Sequence, residues 1–158
     1  MVDSRDKGSR AETVIRDKLR QLTGLVWERT PGSGALDPKH LLKGDLYVPG
    51  VTNLWCIECK HYKEDHLNSK VLTDKNPQLF EWWTQCKRQA DQVNREPLLI
   101  FKHDRSKLFC AFEALPETHV PFLYISRNGF EFYVTILEDW IVQEKPKFVS
   151  WITVSYVV

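Results

Sequence analysis

The stretch KGDLYVPGVTNLWCIECK, Lys43 to Lys60, decides how the rest of the chain is read. Asp45 opens a short apolar strand, Leu46-Tyr47-Val48. Pro49 to Asn53 reads as a reversal, and Leu54 to Lys60 as a second strand. Side chains on a strand alternate faces. Cys56, Glu58 and Lys60 therefore share one face, and Trp55, Ile57 and Cys59 the other. If the pairing sets Asp45 near Glu58, two carboxylates and an ammonium converge at one end of a sheet. Charges in apolar company need partners. Hard oxygen ligands suit magnesium or manganese. The alternative is a cross-strand ion pair on a solvated face. Against it, Trp55, Cys56, Ile57 and Cys59 surround Glu58, so the strand is expected to be buried on both faces.

The chain has 158 residues, the size of one domain, and 42% are apolar and 12% aromatic. That supports a core without disulfide staples. No apolar run approaches the ~18 residues of a membrane span. The opening MVDSRDKGSR is polar and charged, unlike a secretory signal. These features predict a cytoplasmic protein. The net charge of +1 neither requires nor excludes a nucleic acid partner, because distribution matters more than sum. Cys56-x-x-Cys59 resembles half of a zinc site or a redox pair. Positions three apart on a strand face opposite ways, so these two thiols are not expected to share an ion. They read, with Cys86 and Cys110, as free buried cysteines.

Residues 1–8 read as a mobile charged arm. Ser9-Arg10-Ala11-Glu12 has the pattern of a capping box. A helix follows to about Leu22, with Ala11, Val14, Ile15, Leu19 and Leu22 on one stripe, stopped at Gly24. Glu12 is either the capping acid or a member of the carboxylate site. Leu25 to Thr30 reads as a strand. Gly32 and Gly34 punctuate a loop that is a plain connector on composition, or else a segment that closes on a phosphate backbone. His61 to Asn76 is polar and reads as a loop or insertion; His61 and His66 read as surface histidines.

Pro77 opens a second long helix, striped by Leu79, Trp82 or Trp83, Cys86, Ala90 and Val93. Gln85 and Gln89 lie on an adjacent face, in reach of a ligand or simply solvated. Strands are expected over Leu98–Lys102, Leu108–Phe112, Phe122–Ser126 and Phe130–Ile136. Arg127-Asn128-Gly129 is the hairpin signal between the last two. Leu137–Gln143 reads as a helical turn and Phe148–Val158 as a final strand.

The order of these features resembles the PD-(D/E)XK nuclease superfamily. Within it, the chain looks most like the archaeal-type Holliday junction resolvases and their phage-encoded relatives. The resemblance spans about residues 8–103. It rests on SRAE at 9–12, ERTPGSGA at 28–35, GD at 44–45, IECK at 57–60, and the helix with LLIF at 78–101. Gly44 stands where the superfamily pattern has proline.

The resemblance implies a restriction-endonuclease-like α/β fold: a central mixed β-sheet flanked by helices. The nuclease core would cover 9–113, and residues 114–158 would form an extra C-terminal β-rich segment of unassigned role. It further implies that Asp45 and Glu58 hold Mg²⁺, with Mn²⁺ able to substitute and the backbone carbonyl of Cys59 as a further ligand. Glu12 would contribute through a metal-bound water. Lys60 would orient or help deprotonate the attacking water, and Ser33 would act near the scissile phosphate. Arg10, Arg29, Gly32, Ser33, Lys63 and Gln85 would contact DNA. The implied activity is the paired nicking of four-way junctions by a two-fold homodimer, in the host cytoplasm if the chain is phage-encoded. The alternatives are a sequence-specific or nonspecific duplex endonuclease of the same fold, and an inactive DNA-binding module.

Overall fold

The strand carrying Glu58 lies near the middle of a seven-stranded mixed sheet, in the order β1-β2-β4-β5-β6-β8-β7. The computed structural model describes residues 4–31 and 43–151. Its strands are β1 (Glu28–Arg29), β2 (Leu46–Tyr47), β3 (Thr52–Asn53), β4 (Trp55–Tyr62), β5 (Glu96–His103), β6 (Phe109–Phe112), β7 (Leu123–Arg127), β8 (Phe130–Ile136) and β9 (Val149–Ser150). Its helices are α1 (Ser4–Thr23), α2 (Lys70–Thr73), α3 (Gln78–Gln92) and α4 (Leu137–Glu144). Only β4 and β5 run parallel; the segment holding α2 and α3 connects them. The other neighbours in this sheet are antiparallel. This is the mixed α/β sheet flanked by helices of a PD-(D/E)XK-like fold.

Two layers cover the sheet. Ile15 and Leu19 of α1 pack with Ile57, Cys59, Leu98, Ile100 and with Leu137, Trp140 and Ile141 of α4. On the other side Leu79, Trp82, Trp83 and Cys86 of α3 pack with Leu99, Phe101, Ala111 and Phe132. Residues Cys56 to Cys59 are consequently all buried, as the apolar company of Glu58 requires.

Several expectations are corrected. Helix α1 begins at Ser4, so it takes up most of the span read as an arm, and Ser9 is an interior residue whose carbonyl accepts from the Thr13 hydroxyl at 3.0 Å. Val14 is exposed, not part of the stripe. The strand read over Leu25–Thr30 shrinks to Glu28–Arg29. Trp27 is drawn into the core, where its ring meets Phe148 edge-on at 5.3 Å and its indole N–H donates to Thr23 Oγ1. The loop over His61–Asn76 contains α2, pinned by buried Val71.

The β-rich extension expected over residues 114–158 is built into the sheet and the core. β8 and β7 extend the main sheet, and α4, Phe148 and Val149 belong to the same core as α1. A core element cannot be shed without opening the apolar surface it covers. The final strand is short: Val149–Ser150 pairs with Thr52–Asn53, and residues 152–158 lie outside the described part.

Other features follow the sequence closely. Gly24, at φ 73°, ends α1 with its N–H on the Arg20 carbonyl. Asn128 and Gly129 adopt φ of 52° and 83°, the paired left-handed conformation of a tight hairpin turn. All four cysteines are free and buried.

Candidate active site

β2 and β4 pair with Leu46 opposite Ile57, and the Asp45 N–H donates to the Ile57 carbonyl at 2.7 Å. This register brings Asp45 level with Glu58. The reversal between them is locked by Asn53. Its buried side chain accepts from the Val48 N–H at 2.7 Å and donates to the Val48 and Val51 carbonyls. Sequence reading assigned Asn53 only to a turn; nothing in its neighbourhood marked it as the bracket that fixes β2 on β4.

Asp45 is oriented by the backbone. Its Oδ2 accepts from the Cys59 N–H at 2.7 Å. Its carboxyl also makes side-chain hydrogen-bonding contact with both Glu58 and Glu12. Glu12 arrives from α1, and its Oε2 accepts from Arg29 Nε at 3.0 Å. Glu58 is only 3% exposed. By alternation it shares a face of β4 with Cys56, which packs on Ala90 of α3. Lys60, half-buried two residues on, acts on Asp45 and Glu58 through its charge. Glu12, Asp45, Glu58 and Lys60 therefore meet at one place.

The electrostatics of the cluster are unfavourable as it stands. Burial pushes the Glu58 carboxyl up to about 8, helped by the charge of Asp45 and opposed by Lys60. Burial likewise raises Asp45, against the lowering effect of the Cys59 N–H and Lys60. Glu12 is raised by burial and by Asp45, against Arg29. All three shifts run upward because carboxylates this close, out of water, oppose one another's ionisation.

A bound cation would remove that conflict. Among the described residues no three His, Cys, Asp or Glu side chains are gathered as a cage. The donor set is two carboxylates, Asp45 and Glu58, a hard-oxygen set that suits Mg²⁺ or Mn²⁺. Glu12, engaged by Arg29, is placed to act one step further out. Thr30, whose N–H donates to the Asp45 carbonyl at 2.9 Å, has a buried hydroxyl without a partner among the described residues. Such an orphan suits an ordered water. These residues fit a divalent metal.

Gly44 explains the departure from proline. It has φ of 88°, a value closed to proline, and a Cβ there would lie 2.8 Å from the Ile57 carbonyl oxygen. Its N–H donates to Gln89 Oε1 at 3.2 Å. The α3 amide that touches the site is thus Gln89. Gln85, one turn earlier, lines a groove with Lys75, Phe80 and Arg88. Arg10 is exposed on α1, Arg29 is held by Glu12, and Lys63 is exposed just past β4. Gly32 and Ser33 lie outside the described residues.

The chain is matched over residues 3–150 by the model of a family described as "Phage putative PDDEXK endonuclease". It is 39% identical over 151 residues to protein D14 of Escherichia phage T5, covering 89% of this chain and 92% of that protein. No solved structure gives a significant match. The family model takes in α1, the carboxylate cluster and the C-terminal strands together, and by that match the chain belongs to the phage PDDEXK endonuclease family.

Proposed function

We propose that this chain is a divalent-metal-dependent endodeoxyribonuclease that resolves four-way DNA junctions by paired nicks, as a two-fold homodimer in the host cytoplasm. The observation that carries the nuclease reading is the meeting of Asp45, Glu58 and Lys60 where β2 pairs with β4. Junction selectivity and the dimer are supported by the order of motifs from SRAE to LLIF, which resembles junction resolvases. Among the described residues no helix is long and apolar enough to cross a membrane.

A cation held by Asp45, Glu58 and the Cys59 carbonyl would neutralise phosphate charge and lower the pKa of water at neutral pH. The chain's own residues do the rest. The Cys59 N–H keeps Asp45 aimed, so no ordering is needed when substrate arrives. Lys60 places a positive charge beside the carboxylates, where it steadies charge developing on the phosphate and supports proton transfer. Glu12 is steered by Arg29. Affinity comes mainly from phosphate contacts and weakens with salt. Selectivity comes from the shape of the branch rather than from bases.

Cleavage of an immobile four-way junction, a flap and a linear duplex, each with and without Mg²⁺ or Mn²⁺, tests the reading. Symmetric nicks in the junction, dependent on metal and abolished in Asp45→Asn, are expected. Lys60→Ala is expected to slow cutting ~10²–10⁴-fold. Duplex cut as fast as the junction would favour the plain endonuclease instead. Activity unchanged in Asp45→Asn would remove the site. Sedimentation of the free protein as a monomer, and of its junction complex with a single copy, would remove the dimer.

A further inference from the structure

Arg95 is a cation the chemistry above does not use. It follows directly on α3, where Asn94 turns left-handed and the Arg95 N–H donates to the Ala90 carbonyl at 3.0 Å. Ala90 and Val93 on the same turn pack against Cys56. The Cys56 sulfur would lie 3.2 Å from a Cβ on Gly44, the residue before Asp45. Arg95 is thereby fixed beside the segment that delivers the first metal-site carboxylate.

The described residues contain five half-buried arginines: Arg16, Arg20, Arg29, Arg95 and Arg127. Four are paired: Arg16 with Asp17, Arg20 with Glu28, Arg29 with Glu12, and Arg127 with the carbonyls of Val71 and Asp74. Arg95 has no carboxylate or carbonyl partner among the described residues. The neighbour on its inner side is Cys56, which is fully buried and offers a thiol rather than a carboxylate. Burial alone holds the guanidinium below its usual range. A partly desolvated cation with no counter-charge is unfavourable and is relieved by an incoming anion. The guanidinium fork matches phosphate oxygens two at a time. Arg95 lines a groove of about 670 Å³ with Asn53, Trp55, Asn94, Glu96 and Lys147. Of these, Glu96 is acidic and Lys147 basic.

We infer that Arg95 binds a phosphate of the DNA strand leaving the active site, and that this groove extends the substrate footprint toward Lys147. This rests on the nuclease reading above. The test measures junction affinity of the full chain by fluorescence anisotropy across a salt series, in Ca²⁺ so that the DNA stays intact. Arg95→Gln is expected to weaken binding about tenfold. It should also flatten the slope of log affinity against log salt by about 0.9, the signature of one lost phosphate contact. Arg95→Lys should restore the slope and recover part of the affinity. Melting of Arg95→Gln at or above the wild-type temperature is expected, since a desolvated charge is removed. Wild-type affinity and slope in Arg95→Gln would overturn the inference and leave the nuclease reading standing. So would a marked drop in melting temperature, which would put Arg95 in the scaffold. Stabilisation of wild type but not Arg95→Gln by inorganic phosphate, with DNA affinity unchanged, would make this a free-anion site and overturn it too. A wild-type protein with no DNA affinity would overturn both.

Discussion

The two ends of the main sheet are built on opposite principles. Toward one end β1 and β2 are two residues each, and where β2 meets β4 Asp45, Glu58 and Glu12 crowd together in a partly dry place. Side chain to backbone bonds, not a long ladder, hold them there: Cys59 N–H to Asp45, Asn53 to Val48, Gln89 to Gly44. At the other end β8 runs for seven residues between β6 and β7. Rings stack over it, Trp83 on Phe132 at 4.7 Å and Phe80 on Phe130 at 4.8 Å. The first end is electrostatically unfavourable until a ligand arrives; the second is satisfied as it stands. Function and stability are therefore expected to separate along the sheet.

The sharpest way to break that separation is a pair of truncations. Asp45→Ala or Glu58→Ala is expected to reduce metal-dependent cleavage about 10³-fold or more while junction binding persists. Phe132→Ala, at 0% exposure, is expected to lower stability by about 3–5 kcal/mol through the cavity it leaves. Its folded fraction should cleave normally. Denaturant melts and single-turnover cleavage on the same preparations check both. If Phe132→Ala lost cleavage without losing stability, the two ends would not be independent.

pH sharpens the comparison. Glu58 binds its proton more tightly folded, at about 8, than its ordinary value of 4.5. A raised folded value means its contribution is fully present below about 4.5 and is lost as pH rises toward 8. Metal-free protein should therefore lose of order 3 kcal/mol between pH 5 and 8 from this cluster, about 5 °C or more in melting temperature. Glu58→Gln should flatten the profile and melt higher than wild type at pH 8. Mg²⁺ should restore the wild-type protein at pH 8 and release protons on binding, visible by calorimetry in buffers of different ionisation enthalpy. A flat profile in metal-free wild type would mean that the carboxylates are better solvated than their burial implies.

The same contrast governs what could be read from the sequence. The Asp45–Glu58 register was legible because alternation and a short reversal leave few other pairings, and the Asn128-Gly129 turn because two left-handed residues in a row admit few types. The start of α1 at Ser4 was not, since polar residues carry no stripe to mark a helix start. Nor was the loss of most of the strand at Leu25–Thr30, where the fully buried Trp27 follows tertiary packing rather than local propensity. Residues 114–158 were legible as a β-rich extension of one domain, but not the packing of α4 on α1, because those two helices are distant in sequence. Choosing Gln89 over Gln85 depended on the path of Gly44, which no spacing reveals.

Two glycines with nearly the same backbone angle give the finest version of the contrast. Gly44 and Gly129 have φ of 88° and 83°, so both strain a substituted side chain equally. Their surroundings differ. Nothing lies within 4 Å of a Cβ on Gly129, whereas on Gly44 it would meet the Ile57 oxygen at 2.8 Å and nitrogen at 3.0 Å. Gly129→Ala should therefore show backbone strain alone, about 1 kcal/mol, with cleavage intact. Gly44→Ala adds a clash with β4 backbone that only a shift of residues 43–45 relieves. That shift breaks the Gln89 contact and moves Asp45. The expected result is about 2 kcal/mol of stability and about 10²-fold in cleavage, since a displacement of ~1 Å is enough for that. Gly44→Pro, which would restore the superfamily's usual residue, should be worse than Gly44→Ala, because proline is excluded at this φ and lacks the N–H that Gln89 accepts. An active Gly44→Pro would show that the approach to Asp45 can take a second path, and that the bracket of Gln89, Ile57 and Gly44 does not position the acid.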